Sequence, residues 1–339
     1  MKRFCTAIFY ILIITVFTTC KTDFDVTAPY KETMIVYGLL NASDTIHWVR
    51  INKAFLGDGN AYTMAQQPDS INYPDILDVK MEQINSSGSV LKTLYLTRDS
   101  SIPKEPGTFA TTPNILYRTN GNEKLVQESD YRLVIYNRET GKTVTAETNV
   151  VDSIFMTTPN PYVNPPFQVN WYQGQSYIIR YNSVPEGIDY QLTIRFHYDE
   201  VNLSNQSDIQ PKQIDWVLPE QLVLENNDES QHLTQTVSKD DFYNFVKQNV
   251  SPNPSVERRI GTLDFIFTVA SNEFYTYIQV NKPPTGVNQN IPQYTNIDEG
   301  LGIFSSRLKQ YFRNFEMNPI SKDSLIEGSI TGDLQFVLF

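Results

Sequence analysis

The chain has 339 residues, with 27 basic against 38 acidic side chains, a formal net charge of −11 and a mean hydropathy of −0.35. DNA and RNA binding require clustered Lys and Arg, so this balance leaves no footprint for a nucleic-acid partner. Beyond the amino terminus no apolar stretch approaches the roughly 20 residues that a membrane helix needs.

The first residues, MKRFCTAIFYILIITVFTT, place Lys2 and Arg3 ahead of an uncharged apolar run from Ala7 to Phe17. A basic front followed by a short apolar middle is the layout of a secretory signal. Residues 1–19 are therefore expected to be a lipoprotein signal peptide, with Cys20 at the head of the mature chain. Phe17 and Thr19 stand where such signals usually carry Leu and a Gly, Ala or Ser, and Thr19 is still small. Cys5 would leave with the signal, so Cys20 keeps no intramolecular disulfide partner. The expected chemistry is a diacylglycerol thioether on the Cys20 sulfur, cleavage before it and acylation of the new amine. Several acyl chains hold a protein on a membrane where one gives only marginal binding, and residues 20–31 then serve as the lipidated tether. Loss of Lys2 and Arg3, with no acid removed, takes the net charge from −11 to −13. Attachment must come from the lipid, because no polybasic surface is available.

From residue 32 to 151 short runs with strand character recur about every dozen residues: ETMIVYGLL, TIHWVRINKAF, ILDVKMEQI, VLKTLYLT, GTFATTPNILY, DYRLVIYN and KTVTAETNVV. Turn-forming residues separate them, and Arg138-Glu139-Thr140-Gly141 marks a hairpin whose glycine can take a positive φ. Seven strands in this length predict an immunoglobulin-like β-sandwich without the Cys…Trp…Cys signature. The passage Thr157 to Pro166 carries four prolines and can be neither helix nor inner strand. Residues 152–166 are accordingly expected to be a Pro-rich linker.

A second antiparallel β-rich domain, with one or two short helices, is predicted over residues 167–339. Its strands read FQVNWY, SYIIRYN, DYQLTIRFHYDEV, QIDWVL, EQLVLE, RRIGTLDFIFTVA and SITGDLQFVLF. In the third of these Leu192, Ile194, Phe196 and Tyr198 share one face, and Thr193, Arg195, His197 and Asp199 the other. Residues 238–249 predict a helix with Ser238 as N-cap, Asp241 as capping-box partner and an apolar stripe of Phe242, Phe245, Val246 and Val250, stopped by Pro252. A second helix starting at Ser271 fits SNEFYTYIQVN about as well as a strand does.

Chemistry-bearing motifs are scarce. His47, His197 and His232 lack the short spacing of zinc ligands, so no metal or other cofactor is expected. His197-Tyr198-Asp199-Glu200 reads as a solvent-exposed strand end. No nucleophile motif occurs, and the acidic pairs Asp199-Glu200, Asp240-Asp241 and Asp298-Glu299 read as surface charge. Asp58-Gly59-Asn60 lacks calcium-loop spacing and reads as a turn. Gly300 and Gly302 fall short of a phosphate loop and fit a glycine-kinked strand or a tight bend. Trp171 and Trp216 are the candidate ligand-facing aromatics, because flat rings stack on the apolar faces of sugars.

Four stretches, VRINKAFLGDGNAYTMAQQPDS from Val49, DYRLVIYNRETGKTVTAET from Asp130, SKDDFYNFVKQN from Ser238 and YTNIDEGLGIFSSR from Tyr294, resemble a family of Bacteroidota outer-membrane lipoproteins catalogued as a domain of unknown function. Together with the lipoprotein start, the resemblance spans nearly the whole mature chain. Acidic Asp23 and Asp25 resemble the export signal that sends some lipoproteins of such bacteria to the outer face of the outer membrane. Members are typically encoded near TonB-dependent receptors, which implies a TonB-dependent receptor or another envelope protein as partner. The expectation is a non-enzymatic, lipid-anchored binding or accessory protein at the cell outer membrane, facing the exterior. The competing expectations are a fimbrillin-like structural subunit, with Arg50 as a candidate trypsin-like cleavage point, and a glycan-binding surface protein.

Overall fold

Alternation shapes the first strands. In β1 (Met34–Leu40) Met34, Val36 and Leu40 are buried while Ile35, Tyr37 and Leu39 face away, and in β2 (Trp48–Lys53) Val49 and Ile51 turn inward. The structure is a computed structural model that describes residues 33–54, 60–127, 129–164, 167–171, 175–223, 231–238, 240–282 and 293–338. The signal peptide, the tether and Cys20 lie outside the described residues.

β3 (Leu77–Ile84), β4 (Val90–Asp99), β5 (Leu116–Thr119), β6 (Asp130–Asn137) and β7 (Thr143–Asn149) continue the first half. Hydrogen bonding links them in the order β1-β2-β5-β4-β3-β6-β7, every neighbour antiparallel. The predicted hairpin joins β6 to β7, with Gly141 at φ 69° and its N–H donating to Asn137 O at 2.9 Å. The fifth strand is shorter than GTFATTPNILY suggests, because it begins only at Leu116, beyond the interruption at Pro113. Proline has no N–H to give to a ladder.

The second half holds β8 (Met156–Thr158), β9 (Tyr177–Asn182), β10 (Gly187–Asn202), β11 (Asn205–Val217), β12 (Gln221–Leu222), β13 (His232–Val237), β14 (Val256–Ser271), β15 (Ile297–Asp298), β16 (Gly300–Phe315) and β17 (Phe336–Val337). β8, β9 and β13 form a small sheet, while β11, β10, β14 and β16 extend the large one. The alternation in β10 holds: Leu192, Ile194, Phe196 and Tyr198 are buried, and the residues between them are not. The chain is thus mainly β, with large antiparallel sheets and few helices.

β16 spans both halves. Its first seven residues, Gly300 to Ser306, pair in parallel with β1, and its remainder pairs antiparallel with β14. At about 3.3 Å per residue such a strand runs roughly 50 Å. β15 pairs with β7, and Glu299, at φ 57°, turns the chain from β15 into β16. The ladder that leaves β16 at β1 therefore comes back beside it at β15. Ile297 and Phe304 accordingly pack in the first core rather than with the rest of 167–339. Thr33–Phe339 forms one compact unit. The segment expected as a linker is packed as well. Val151, Ile154 and Met156 belong to the second core, Val151 N–H donates to Ser306 Oγ at 3.2 Å, and Ile154 N–H donates to Gln310 Oε1 at 2.8 Å. Backbone groups taken out of water need such partners. Pro165 and Pro166 lie outside the described residues.

Among the described residues five helices sit around the sheets: α1 (Ala61–Ala65), α2 (Pro68–Ile71), α3 (Asp241–Asn249), α4 (Asn272–Asn281) and α5 (Pro319–Glu327). At α3 the expected N-cap Ser238 gives way to Asp240, whose side chain makes no capping bond. The Asp241 carboxylate still accepts from Ser238 N–H at 3.1 Å, the reach-back half of the expected capping box, and Phe242, Val246 and Val250 enter the core. SNEFYTYIQVN resolves as helix because Ser271 Oγ caps Phe274 N–H at 3.4 Å. α5 escapes the sequence reading, although Asn318 caps Ser321 N–H at 2.9 Å and Pro319 occupies the first turn. The terminal SITGDLQFVLF differs from its prediction as a full strand. Gly332–Leu334 forms a 3-10 turn, and only Phe336 and Val337 pair, parallel to Arg258 and Arg259 of β14.

His47 is buried ahead of β2, its backbone N–H donating to Thr119 Oγ1 at 3.0 Å and its Nε2 lying 2.7 Å from Glu123 O. Burial holds its pKa below 6.5, against weaker raising effects from Glu123 and Asp44. The unfolded chain therefore takes up a proton here before the folded protein does, so this contribution to stability is full above 6.5 and drains away as pH falls below it. Urea unfolding midpoints are expected to drop between about pH 7.5 and about pH 5.5, and His47→Gln to flatten that slope. An unchanged slope in the variant would remove His47 as its source.

Candidate functional site

The outer face of the β1-β2 pair carries the residues that alternation turns away from the core. Register sets Tyr37 opposite Arg50 and Ile35 opposite Asn52. α2 is pinned over this face by Asn52, whose Nδ2 donates to Ile71 O at 3.0 Å and to Asn72 Oδ1 at 3.1 Å. A loop bearing Lys104 and Phe109 closes the other side. It is tied to α1 by Ala110 N–H on Ala65 O at 2.8 Å and by Gln66 Nε2, which donates to Gly107 O at 3.3 Å and also to Thr108 O. Between these walls lies a cavity of about 530 Å³ lined by Ile35, Tyr37, Arg50, Asn52, Lys53, Ala54, Ile71, Lys104 and Phe109.

Among the described residues no carboxylate lines the cavity, although the chain as a whole is acidic. Among the described residues Arg50, Lys53 and Lys104 make no ion pair. Lys104 Nζ instead donates to Ala110 O at 3.2 Å and sits 5.5 Å from the centre of the Phe109 ring. Desolvation lowers the Arg50 pKa, and desolvation together with the Arg50 charge lowers that of Lys104. Two cations are thus partly withdrawn from water near each other with no carboxylate between them among the described residues. An anionic ligand would relieve both costs.

The aromatics singled out in the sequence lie elsewhere. Trp171 is 1% exposed and packs against Phe242, with ring centres 4.1 Å apart. It is a core residue outside any strand, and Tyr172, next to it in the chain, lies outside the described residues. Trp216 is half-buried and stacks on Phe245 at 5.4 Å. Its ring covers α3 instead of facing outward as a free platform. Burial also raises the hydroxyl pKa of Tyr177 and Tyr190 to about 12.

The other chemical clusters are dispersed by strand alternation. Tyr198 turns into the core, Glu200 pairs with Arg258 at 2.8 Å, and His197 Nε2 lies 3.0 Å from Asp264 Oδ2. Asp264 Oδ1 in turn accepts from Asn314 N–H at 3.0 Å, so this carboxylate joins β10, β14 and β16. Among the described residues no three His, Cys, Asp or Glu side chains are grouped to hold a metal ion. Asp241 opens α3 and accepts from Ser238 N–H, and Glu299 forms a turn. Asp58 and Gly59 lie outside the described residues, while Asn60 caps α1 by accepting from Tyr62 N–H at 2.9 Å. Arg50 lies within a strand paired to β1 and β5, so cleavage there would require β2 to leave its neighbours. Sequence reasoning missed the cavity because Lys104 and Phe109 stand far from β2 in the chain. The one available signal was the alternation that puts Arg50 and Asn52 on a common face.

No family model matches the sequence, and no curated protein does. Among solved structures the C-terminal globular domain of oligosaccharyltransferase from Pyrococcus abyssi is similar at 11% identity and a TM-score of 0.21. The alignment covers 61% of this chain and 40% of that chain. A superposition this loose transfers neither activity nor ligand.

Proposed function

We propose that the protein is a non-enzymatic, lipid-anchored lipoprotein of the cell outer membrane that binds an anionic ligand in the β1-β2 cavity, as an accessory component beside a TonB-dependent transporter. The observation that carries the binding reading is the convergence of Arg50, Lys53 and Lys104 on a cavity whose described lining holds no carboxylate. Cys20 carries the anchoring reading, through the sequence pattern before it.

The anchor is tested by fractionation. The native protein is expected in the outer-membrane fraction, labelled by radioactive palmitate and shaved from intact cells by added protease, with a TonB-dependent transporter co-isolated after gentle detergent extraction. Cys20→Ala is expected to lose the label and to leave the membrane fraction. A Cys20→Ala protein that stays membrane-bound, together with a native protein shielded from protease, would overturn this placement.

A further inference from the structure

We infer that the ligand of the β1-β2 cavity is an organic carboxylate with an apolar or aromatic body, a reading that rests on the cavity being the ligand site. A bare anion needs only the cations and a small space. The cavity is about 530 Å³, within the range of sites that enclose whole small molecules. Its lining divides between the two halves of such a ligand. Arg50 presents a planar guanidinium suited to two parallel hydrogen bonds to a carboxylate, and Lys104 presents a point charge close enough to feel Arg50. Ile35, Ile71, Tyr37 and Phe109 supply the apolar surface.

Both rings are exposed, Tyr37 at 42% and Phe109 at 49%, and Tyr37 meets Tyr277 edge-on at 6.5 Å. Lys104 Nζ stands 5.5 Å from the centre of the Phe109 ring, a cation–π contact beside which the ring could also take the apolar body of a carboxylate bound to Lys104. Asn52 has its amide nitrogen committed to α2, so it helps hold the wall rather than serving as the main donor. Recognition is therefore two-point: charge and geometry at Arg50 and Lys104, and ring contact at Phe109 and Tyr37.

The test uses the full lipidated chain in nanodiscs and isothermal titration calorimetry, with empty nanodiscs as blank. The probes are 2-naphthoate, its neutral analogue 2-naphthylmethanol, acetate and inorganic phosphate. Saturable binding of 2-naphthoate is expected, with each of the other three at least about tenfold weaker. Arg50→Gln and Lys104→Gln should each weaken 2-naphthoate about tenfold, and Phe109→Ala should weaken it without changing acetate. The probe comparison on the unaltered protein stands even if a variant fails to fold. Equal binding of 2-naphthylmethanol, or of acetate or phosphate, would overturn the ligand class and leave the cavity as a binding site. No saturable binding by any of the four would overturn the class and the cavity reading together.

Discussion

Gly302→Ala is expected to cost more than about 4 kcal/mol of folding stability, or to prevent folding, placing it among the exceptional single substitutions. Gly302 sits within β16 at φ 105° and is the register partner of Val36. A Cβ there would stand 2.0 Å from Val36 O, 2.9 Å from Val36 C and 3.0 Å from Val36 N, all of them backbone atoms that cannot rotate aside. The side chain would therefore both strain its own backbone and push β1 from β16. That pairing is where the ladder of the first half meets the sheet of the second, so the damage is not local. Urea unfolding followed by fluorescence reports it from both halves, through Trp48 in β2 and through Trp171 and Trp216 in the second core region. Gly107→Ala is the control, because a Cβ there meets nothing within 4 Å. Its effect should stay within about 1 kcal/mol. A Gly302→Ala protein that lost under about 1 kcal/mol would contradict the close approach.

Arg258→Met is expected to destabilise by about 3–5 kcal/mol, the range for removing one partner of a buried charged network. The Arg258 side chain is only 3% exposed. Its Nη1 donates to Leu334 O at 2.6 Å, its Nη2 to Ser251 O at 2.9 Å, and its Nε to Glu200 Oε1 at 2.9 Å. Methionine fills much of the space but leaves two carbonyls and a carboxylate without their donor. Arg258 N–H also donates to Gln335 O at 2.8 Å, and β17 pairs at this position, so the carboxyl-terminal segment is held here. Hydrogen exchange should accordingly accelerate at Phe336 and Val337 ahead of global unfolding. Arg259→Met offers the contrast: Arg259 bonds Glu257 nearer to solvent, both side chains 27% exposed, and should cost about 1 kcal/mol or less. Equal losses from the two substitutions would show that burial of Arg258 has no special weight.

Both positions were partly legible. The kink at Gly300 and Gly302 is readable from glycines in a strand-like run, but the atom that demands glycine belongs to Val36, near the other end of the described chain. Arg258 reads only as one of two basic residues opening an apolar strand. The contacts that bury it come from the loop after α3, from β10 and from the carboxyl-terminal turn. The same holds for the candidate site. Alternation assigns Arg50 to the outer face of β2, yet what makes it interesting is Lys104, brought over that face by a loop anchored to α1. Trp171 shows the converse. A flat ring that can stack on sugars is a ligand-facing candidate in the sequence, but Phe242 of α3 packs against it and buries it.

By itself the sequence determined the local terms: the period-two burial of β1, β2 and β10, the φ > 0 turn at Gly141, and the apolar stripe and Asp241 reach-back of α3. These depend on side-chain direction and backbone freedom over a few residues, and a short window contains all of that information. Only the tertiary structure decided that β16 carries its first residues to β1 and its last to β14, that Ile154 and Met156 of the expected linker pack in the second core, and that three cations share one cavity. Such pairings are chosen by which distant surfaces bury one another at least cost in chain closure, and the closure term grows too slowly with separation to mark the partner in the sequence.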